Sequence, residues 1–577
     1  MAGGSSRPNL ICLGNGLNQS RILGFRSPRC SPQMITQGNT LNAVTPGRPF
    51  VIRDPVHGYL VAAVHERALV DHPVTQRLRR ITQTGLAEYV FPEARTSRFV
   101  HSLGAMHVAS RFVLASLENA ELDVALSFFA EIENYVGRYS GERETFEDLL
   151  QQEGTLSALA SVRSSFKYPQ LSEKKIRQLM AVTEAGLRLA ALFHDLGHLP
   201  FSHDVEYALQ DYAAQLKVEA RPIPNSLMAI AGDEAPHEEI GHRLAELAFR
   251  SLGTDTKPSV KAGFEMATKI LNSKNPSYGL RKKPRASALQ WLHSLVDGEI
   301  DADRADYLLR DGQALGLDFV HYDLDRLVSN LVLIEDPELG FVTAVKETGL
   351  AALESYCLAR SRSSQVFIRH HKVAQSAAAL RHSSVRGFAH PLAKSFLDLL
   401  TALGGDGENA PDDLLKRFSV FDEAWWLQVL RSVRQEKNDS LTDACLSLVL
   451  ERARSLRSVW KRKGDLTPQQ LIDLNSRADN FFSSGNGRMI LAQKRRQLLE
   501  KGILLNVFKF KPYTIREESK QSVMLIKGKY RVEPASMASP LIRNVISIWQ
   551  EDIHIYAFVE RESILTLDEV VDAIVKD

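Results

Sequence analysis

Apolar residues recur at intervals of three and four along most of the chain, which predicts a mainly helical protein. Helices are predicted at 74–81, 98–113, 187–193 and 350–395, with more across 118–185 and 410–500. A polar, serine-rich break interrupts the pattern near 161–165. Short β-branched runs at 50–58 and beyond 504 predict strands instead.

Changes in this pattern divide the chain into four parts. Residues 1–48 are rich in Gly, Ser, Pro, Asn and Arg, lack hydrophobic periodicity and are expected to be a disordered leader. Such a start also resembles a transit peptide, but no amphipathic helix is evident. Residues 49–395 form the main helical body, 396–500 a helical extension, and 501–577 a small α+β lobe that ends in a helix.

Composition narrows the class of protein. The chain has 577 residues, of which 44% are hydrophobic and 24% charged, as in ordinary soluble globular proteins. No run of eighteen or more apolar residues predicts a membrane span. The four cysteines are far apart and form no CxxC motif, so a reducing compartment is expected and the protein is predicted to be cytoplasmic.

The net charge of +2 is unevenly distributed along the chain. Residues 1–53 contain six arginines and no lysine or acidic residue, which leaves 65 basic and 69 acidic residues in the remainder. A nearly neutral body argues against a strongly basic nucleic-acid-binding protein. Local basic patches stay open, so nucleic acid is a permitted but not a required partner.

The densest group of candidate ligands lies at 194–206, with three histidines and three carboxylates in thirteen residues after an apolar run. His194 and Asp195 are adjacent, and at a helix end they can converge on one ion. His198 is four residues past His194, and Glu206 is three past His203. The alternative is a polar helix end whose histidines cap carbonyl groups. So many ligand types after an apolar run favour a functional site.

Two other helices present polar groups on one face. Arg98 and His101 are three residues apart, so a phosphate and a metal ion could meet beside them. Asp303, Tyr307 and Asp311 fall at i, i+4 and i+8. An exposed ion-paired helix is the alternative for this second group, but the aromatic residue favours a site.

Two further features are less specific. His237 follows a proline near the start of a predicted helix and is a candidate proton donor or a plain N-terminal histidine. The basic faces at 74–81 and 350–395 could hold a polyphosphate or could be solvated.

The order His101, His194-Asp195, Asp303 is the H…HD…D pattern of HD-domain phosphohydrolases. Residues 50–375 resemble the deoxynucleoside triphosphate (dNTP) triphosphohydrolases, especially the group with the vertebrate SAM- and HD-domain enzyme. The shared strings are Asp54-Pro-Val-His-Gly58, Gln76-Arg-Leu-Arg79, Tyr89-Val-Phe-Pro92, Arg98-Phe-Val-His-Ser-Leu-Gly104, His194-Asp-Leu-Gly-His-Leu-Pro-Phe-Ser-His203 and Asp301-Ala-Asp-Arg-Ala-Asp-Tyr307. The resemblance implies an HD-domain helical core at 49–395 with helical insertions. A SAM domain is not expected, because the leader is too short for one.

The resemblance assigns one divalent transition metal ion to four residues: His101, His194, Asp195 and Asp303. Two imidazoles and two carboxylates neutralise such an ion and leave open positions for water and a phosphate oxygen. This set suits Fe, Mn, Zn or Ni without choosing among them, and Mg could accompany the substrate phosphates.

The resemblance also implies a reaction in which a dNTP yields the deoxynucleoside and intact triphosphate. His237, backed by Glu206 and His198, would be the acid/base group that protonates the departing oxygen.

Substrate contacts carry over from the same resemblance. Phosphate contacts are implied for Arg98, His198 and His203, with Arg304 where the family has a lysine and Arg360 at the outer phosphates. Gln83 and Asp311 match groups that hold the sugar 3′-hydroxyl, and Tyr307 matches a residue that packs on the sugar. Ile368 replaces a family tyrosine and Thr84 an apolar residue, which leaves discrimination between deoxyribose and ribose open.

A nucleotide activator and a homo-oligomer, dimer or tetramer, are further implications. Asp71, Gln76 and Arg79 match an allosteric guanine-nucleotide site, and the segment 506–509 resembles a strand that completes such sites between subunits. Phe50, Arg53 and Leu505 do not match, so activation could be absent, altered or tuned to another nucleotide.

Two other functions compete with dNTP hydrolysis. One is an HD phosphohydrolase acting on another nucleotide or nucleic-acid phosphoester, and the other is a nucleotide-sensing scaffold protein. The presence of both the ligand set and the acid/base set favours an enzyme, with a role in dNTP homeostasis or antiviral defence.

Overall fold

Helices make up most of the fold, so the mainly α class predicted from the sequence is confirmed. The protein is represented by a computed structural model. It describes residues 50–136, 173–219, 221, 236–253, 256, 258–273, 285–403, 411–483, 487–508, 524–527, 531–550 and 552–576. The predicted leader and the serine-rich break at 161–165 lie outside these residues.

The described helices run in the following order. The first are α1 (Val64–Val70), α2 (Pro73–Arg77), α3 (Arg98–Glu118), α4 (Leu122–Val136), α5 (Glu173–Phe193), α6 (His203–Val218), α7 (Pro236–Ser251), α8 (Pro258–Asn272), α9 (Ala288–Ser294), α10 (Ala302–Ala314) and α11 (Leu324–Ser329). The later ones are α12 (Leu350–Arg362), α13 (His371–Ala389), α14 (Lys394–Leu403), α15 (Pro411–Phe418), α16 (Glu423–Arg434), α17 (Ser440–Glu451), α18 (Pro468–Ser483), α19 (Gly487–Glu500), α20 (Ala535–Ala538), α21 (Pro540–Gln550) and α22 (Leu567–Val575).

The described strands form three small sheets. They are β1 (Phe50–Asp54), β2 (Gly58–Ala62), β3 (Leu331–Asp336), β4 (Gly340–Lys346), β5 (Leu456–Ser458), β6 (Ile503–Val507), β7 (Met524–Lys527), β8 (Arg531–Pro534) and β9 (Ile555–Glu560). β1 and β2 make a hairpin in which Phe50 pairs with Ala62 and Asp54 with Gly58. The other sheets have the strand orders β3-β4-β7-β8 and β5-β9-β6.

The helices α3 and α5 lie at the centre and are buried around most of their circumference. Their many small and apolar residues let the two helices pack closely within the main core. α5 ends at Phe193, which is 1% exposed. His194 and Asp195 follow directly and therefore lie beside the core.

A buried ion pair ties α5 to the N-terminal hairpin. Arg188 Nε lies 2.6 Å from Glu66 Oε1, and Arg188 Nη2 donates to the carbonyl of Val61 at 2.7 Å. Glu66 Oε2 also accepts from the backbone N–H of Ala63. Because each buried charge finds its partners here, the hairpin is fixed relative to the helix that carries the central motif.

The helix predicted at 350–395 is interrupted. α12 passes into a π-helical turn, Ser363–Ile368, and α13 begins afterwards with His370 as its N-cap. The Nδ1 atom of His370 accepts from the backbone N–H of Lys372 at 3.3 Å. Hydrophobic spacing does not reveal a single wide turn, because the apolar period on either side of it is the same.

The C-terminal α+β region is present, but its strands join earlier parts of the chain. β7 pairs in parallel with β4, and β9 pairs with β5 of the helical extension. Residues from Ala43 onward group into one compact unit. The proposed division at 395 and 500 stays a prediction. Among the described helices, none is both long and apolar enough to cross a membrane.

Candidate active site

The four residues predicted to bind metal come together at the C-terminal end of α5. His101 comes from the first turn of α3, Asp303 from the first turn of α10, and His194 and Asp195 follow α5 directly. His101 Nε2 lies 2.9 Å from Asp303 Oδ1 and 3.4 Å from Asp195 Oδ2. His194 Nε2 lies 3.3 Å from Asp195 Oδ1 and 3.6 Å from Asp303 Oδ1.

These atoms fit a divalent cation. The Nε2 atoms of His101 and His194 are buried and have no hydrogen-bond partner, although carboxylate oxygens lie 2.9 to 3.6 Å away. Their Nδ1 atoms are engaged elsewhere, by Asp306 Oδ2 at 2.8 Å and by the carbonyl of Ala191 at 2.6 Å. That pattern fixes each ring and leaves Nε2 for a metal. Ligands about 2.1 Å from one ion lie roughly 3.0–3.5 Å apart, close to the distances here.

Opposite charges in this group stabilise one another. Burial alone lowers the pKa of His101, but its contacts with Asp303 and Asp306 raise that pKa to about 10. Burial raises the pKa of Asp195, yet the guanidinium of Arg98 together with His194 and His198 outweighs burial and holds that pKa well below its usual range. In the metal-free protein both ring nitrogens of His101 therefore carry a proton, and a divalent cation would replace the proton on Nε2.

Asp306 is a residue that sequence reasoning did not single out. Its carboxylate accepts from His101 Nδ1, from His57 Nε2 at 2.7 Å and from two nitrogens of Arg310 at 2.8 and 2.9 Å. Arg310 Nη1 reaches Asp54 Oδ2 at 2.7 Å, and Asp54 Oδ1 accepts from two backbone N–H groups of the β1–β2 turn. The hairpin is thus connected to a metal ligand through a buried network.

Close packing makes this network possible. A Cβ atom on Gly104 would lie 1.8 Å from Asp306 Oδ1 and 2.5 Å from Arg310 Nη2, so only glycine fits there. The sequence signal was the i, i+3 spacing from Asp303 to Asp306 and the i, i+4 spacing from Asp306 to Arg310. The contact with Asp54 lies 256 positions away and carries no local signal.

The predicted acid/base group forms a second cluster beside the first. Glu206 accepts from His198 Nδ1 at 2.5 Å and from His237 Nδ1 at 2.9 Å, and His203 Nδ1 lies 3.2 Å away. The rings of His198 and His237 stack with centroids 3.9 Å apart. His198 Nε2 lies 3.0 Å from Asp195 Oδ1, which joins the two clusters. These four residues could themselves hold a metal ion.

The two stacked histidines differ in how firmly they bind a proton. Burial lowers the pKa of His198 to about 4, helped by the neighbouring Arg98. Burial also acts against protonation of His237, but the charge of Glu206 and its hydrogen bond raise the pKa of His237 above its usual value. His198 is therefore neutral at neutral pH, while His237 binds its proton more firmly than an ordinary histidine.

A close approach of two backbones brings His237 to this place. A Cβ atom on Gly197 would lie 2.0 Å from the carbonyl oxygen of His237 and 2.4 Å from the backbone nitrogen of Gly241. The absence of a side chain lets the loop after α5 touch the first turn of α7. His237 then reaches Glu206 across 31 positions of sequence.

Two predicted sugar contacts, Gln83 and Asp311, lack partners. Gln83 Oε1 is buried without a hydrogen-bond partner. Asp311 is 7% exposed, and its carboxyl group makes no hydrogen bond or ion pair within the described chain. Burial raises the pKa of Asp311 to about 7. Both groups can therefore accept or share a hydrogen bond with a ligand hydroxyl.

The remaining predicted phosphate contacts are engaged with the protein. Arg98 donates to Asp195 Oδ2 at 2.6 Å and to Ser202 Oγ at 2.8 Å. Arg304 pairs with Asp301, and Arg360 Nη1 lies 3.0 Å from Glu299 Oε2. His203, at 49% side-chain exposure, faces solvent. The ring centroid of Tyr307 lies 6.5 Å from that of His101, close to the metal group.

The predicted allosteric residues are partly joined. Arg79 Nε donates to Gln76 Oε1 at 2.6 Å, and its guanidinium lies 3.7 Å from the ring centre of Phe99. Asp71 pairs instead with Arg67 at 3.4 Å, with both side chains exposed. Asn506 is buried in β6, whereas residue 509 of the predicted activator strand lies outside the described chain.

Comparisons with known proteins identify distant relatives. No family model matches the chain. It is 26% identical over 311 residues to the uncharacterized protein MJ1154 of Methanocaldococcus jannaschii, covering 54% of this chain and 44% of that protein. It is 26% identical over 314 residues to the human deoxynucleoside triphosphate triphosphohydrolase SAMHD1, covering 52% of this chain and 38% of that enzyme. The chain is therefore similar to HD-domain, dNTPase-like proteins.

A solved structure supports the fold. A phosphohydrolase from Bacteroides thetaiotaomicron VPI-5482 superposes with a TM-score of 0.53 at 18% identity, covering 89% of this chain and all of that one. The matches to both curated relatives span less than half of each relative's length.

Replacing Asp306 with asparagine should weaken metal binding about 10- to 100-fold, because the amide removes the negative charge and one acceptor behind His101. Equilibrium titration of the metal-free protein with Mn²⁺ measures this affinity. Asp325→Asn, at an exposed ion pair, is the matched control and should bind like the wild type. Unchanged affinity in Asp306→Asn would contradict the role given to this network.

Replacing Asp311 with asparagine should make metal-free protein more stable, and increasingly so from pH 5 to pH 8. The folded-state pKa is raised to about 7, so the wild type loses stability as pH rises through this range, by about 1.4 kcal/mol per unit of pKa difference. Asparagine has no such titration. Denaturant unfolding at several pH values measures the difference, with exposed Asp318→Asn as control. A stability difference that does not change with pH would refute the buried, raised-pKa carboxyl.

Proposed function

We propose that the protein hydrolyses deoxynucleoside triphosphates to the deoxynucleoside and triphosphate, with one divalent transition metal ion held by His101, His194, Asp195 and Asp303. The main support is the pair of buried, unpartnered Nε2 atoms on the two histidines, which face two carboxylates. A structural role would have given those nitrogens hydrogen-bond partners.

The neighbouring cluster supports an enzyme over a passive binding site. When bound, the metal ion would supply Lewis-acid activation of a phosphate oxygen and of water. Glu206 binds Nδ1 of His237 and favours the protonated imidazole, from which Nε2 would donate a proton to the departing oxygen. Glu206 and the stacked His198 keep that ring oriented. Without this proton the leaving nucleoside alkoxide would be a poor leaving group.

Unpartnered polar groups support a sugar ligand. Gln83 Oε1 and the carboxyl group of Asp311 would bind the 3′-hydroxyl, and Tyr307 would pack against the sugar ring. An empty buried acceptor costs free energy unless a ligand or water satisfies it.

The cations near the site would bind the triphosphate. The side chain of His203 is 49% exposed, so a phosphate could reach it from solvent. Arg304 and Arg360 are paired with Asp301 and Glu299, so phosphate binding would exchange one anionic partner for another. Arg98 would act mainly through Asp195, which it already contacts.

Regulation and assembly belong to the same proposal. Asp71, Gln76 and Arg79 would form part of a nucleotide activator site, and a homo-oligomer, dimer or tetramer, would complete it. Since Gln76 and Arg79 already bond to each other, an activator would have to compete with that contact or use it.

The decisive experiment is incubation with each of the four dNTPs, alone and mixed, in the presence of Mn²⁺ or Fe²⁺, followed by chromatography of the products. The expected products are deoxynucleoside and tripolyphosphate. The mixture is included because one nucleotide can license hydrolysis of another. Release of orthophosphate would instead mean an HD phosphohydrolase of another specificity, and tight binding without turnover would mean a nucleotide sensor.

Variants connect any activity to the site. His101→Ala and Asp303→Ala should each abolish turnover, because each removes a ligand of the same ion. Exposed Asp318→Ala serves as the control and should remain active. Full activity in either ligand variant would overturn the metal assignment.

A further inference from the structure

The helical extension contacts the segments that flank the metal group. Arg80 Nε lies 2.5 Å from Asp422 Oδ2. The fully buried Arg77 donates to the carbonyl of Phe421 at 3.0 Å and, through Nη2, to the carbonyl of His198 at 2.6 Å. The start of α16 therefore lies against the central motif, although it belongs to a part of the chain outside the HD core predicted at 49–395.

Glu423 makes the most direct of these contacts. Its Oε1 atom accepts from the backbone N–H of Thr82 at 2.6 Å, from Thr82 Oγ1 at 2.7 Å and from the backbone N–H of Phe201 at 3.3 Å. One carboxylate oxygen thus joins two segments that are far apart in sequence. The segment of Thr82 precedes Gln83 and Arg98 in the chain. The segment of Phe201 lies between His198 and His203.

The second segment is strained where Glu423 contacts it. Phe201 and Ser202 have φ angles of 59° and 56°, in the left-handed region that residues with a Cβ atom rarely adopt. Such a conformation persists only when surrounding contacts determine it. The hydrogen bond from Phe201 N to Glu423 is one of them, and the strained pair sets the direction in which α6 begins.

Further hydrogen bonds lead from this turn to a metal ligand. Ser202 Oγ donates to the carbonyl of Thr82 at 2.6 Å and accepts from Arg98 Nε at 2.8 Å. Arg98 Nη1 donates to Asp195 Oδ2 at 2.6 Å. Glu423 accepts hydrogen bonds from Thr82 and from Phe201, the residue before Ser202. It therefore fixes both segments whose contacts orient the Arg98 side chain.

We propose that Glu423 is a positioning residue for the metal centre: it holds the left-handed turn at Phe201 and Ser202 and, through Arg98, the carboxylate of Asp195. The helical extension would then be part of the functional unit of the HD domain. The proposal rests on the metal site of the proposed function but not on the identity of the substrate.

The test compares Glu423→Ala with Glu423→Gln in the full-length protein. Glutamine keeps an oxygen that accepts from the same donors, so this variant should bind Mn²⁺ within about twofold of the wild type. Alanine removes the acceptor and should weaken Mn²⁺ binding about tenfold. It should also speed amide hydrogen exchange at 198–206. Glu451→Gln, an exposed pair with Arg434, is the control.

The outcomes are distinct. Wild-type Mn²⁺ affinity and unchanged exchange in Glu423→Ala would overturn the proposal, as would equal losses in both Glu423 variants. If Glu423→Ala does not fold, Ser202→Ala tests the same path, and wild-type Mn²⁺ affinity in that variant would overturn it. A wild-type protein that binds no Mn²⁺ would defeat the proposed function instead, while the exchange measurement would still decide the role of Glu423.

Discussion

The ring of His101 lies between carboxylates, and this arrangement constrains the surrounding structure. Asp306 contacts Nδ1, while Asp195 and the partly exposed Asp303 approach Nε2. Placing this much negative charge in the interior is costly unless cations and hydrogen bonds compensate it. Arg310 and His57 bind Asp306, and Arg98 binds Asp195. A divalent cation would complete the balance on the Nε2 side, where the two Nε2 atoms have no hydrogen-bond partner.

The packing of the helices keeps these polar groups close together. α3 and α5 are buried enough to keep polar side chains at their ends away from water, and the Glu66–Arg188 pair fixes α5 to the N-terminal hairpin. Two glycines, Gly104 and Gly197, let neighbouring segments approach closely enough for the polar atoms to meet. The acid/base cluster adjoins the metal group through His198, so a substrate phosphate near one would be within reach of the other.

Local features of the site could be predicted from the sequence. An apolar run that ends at His194 predicted a ligand pair at a buried helix end, and helical spacing placed Asp303 and Tyr307 near one another, because both inferences depend on neighbours a few residues apart. The π-helical turn after Arg362 and the unpredicted hairpin of β3 and β4 depended on tertiary packing instead.

Contacts between distant segments had no such signal. Glu423 meets Thr82 across 341 positions, and Arg310 meets Asp54 across 256. No periodicity in the chain marks such partners, and each residue alone resembles an ordinary surface charge. The resemblance to a family supplied the order of the metal ligands, but the surrounding network became apparent only in the fold.

The most direct test of the metal centre is anomalous X-ray diffraction from crystals of the protein loaded with Mn²⁺ or Fe²⁺. The structure predicts a single strong peak about 2.0–2.3 Å from the Nε2 atoms of His101 and His194 and from carboxylate oxygens of Asp195 and Asp303. A peak only among His198, His203, Glu206 and His237, or no peak in either cluster, would contradict it.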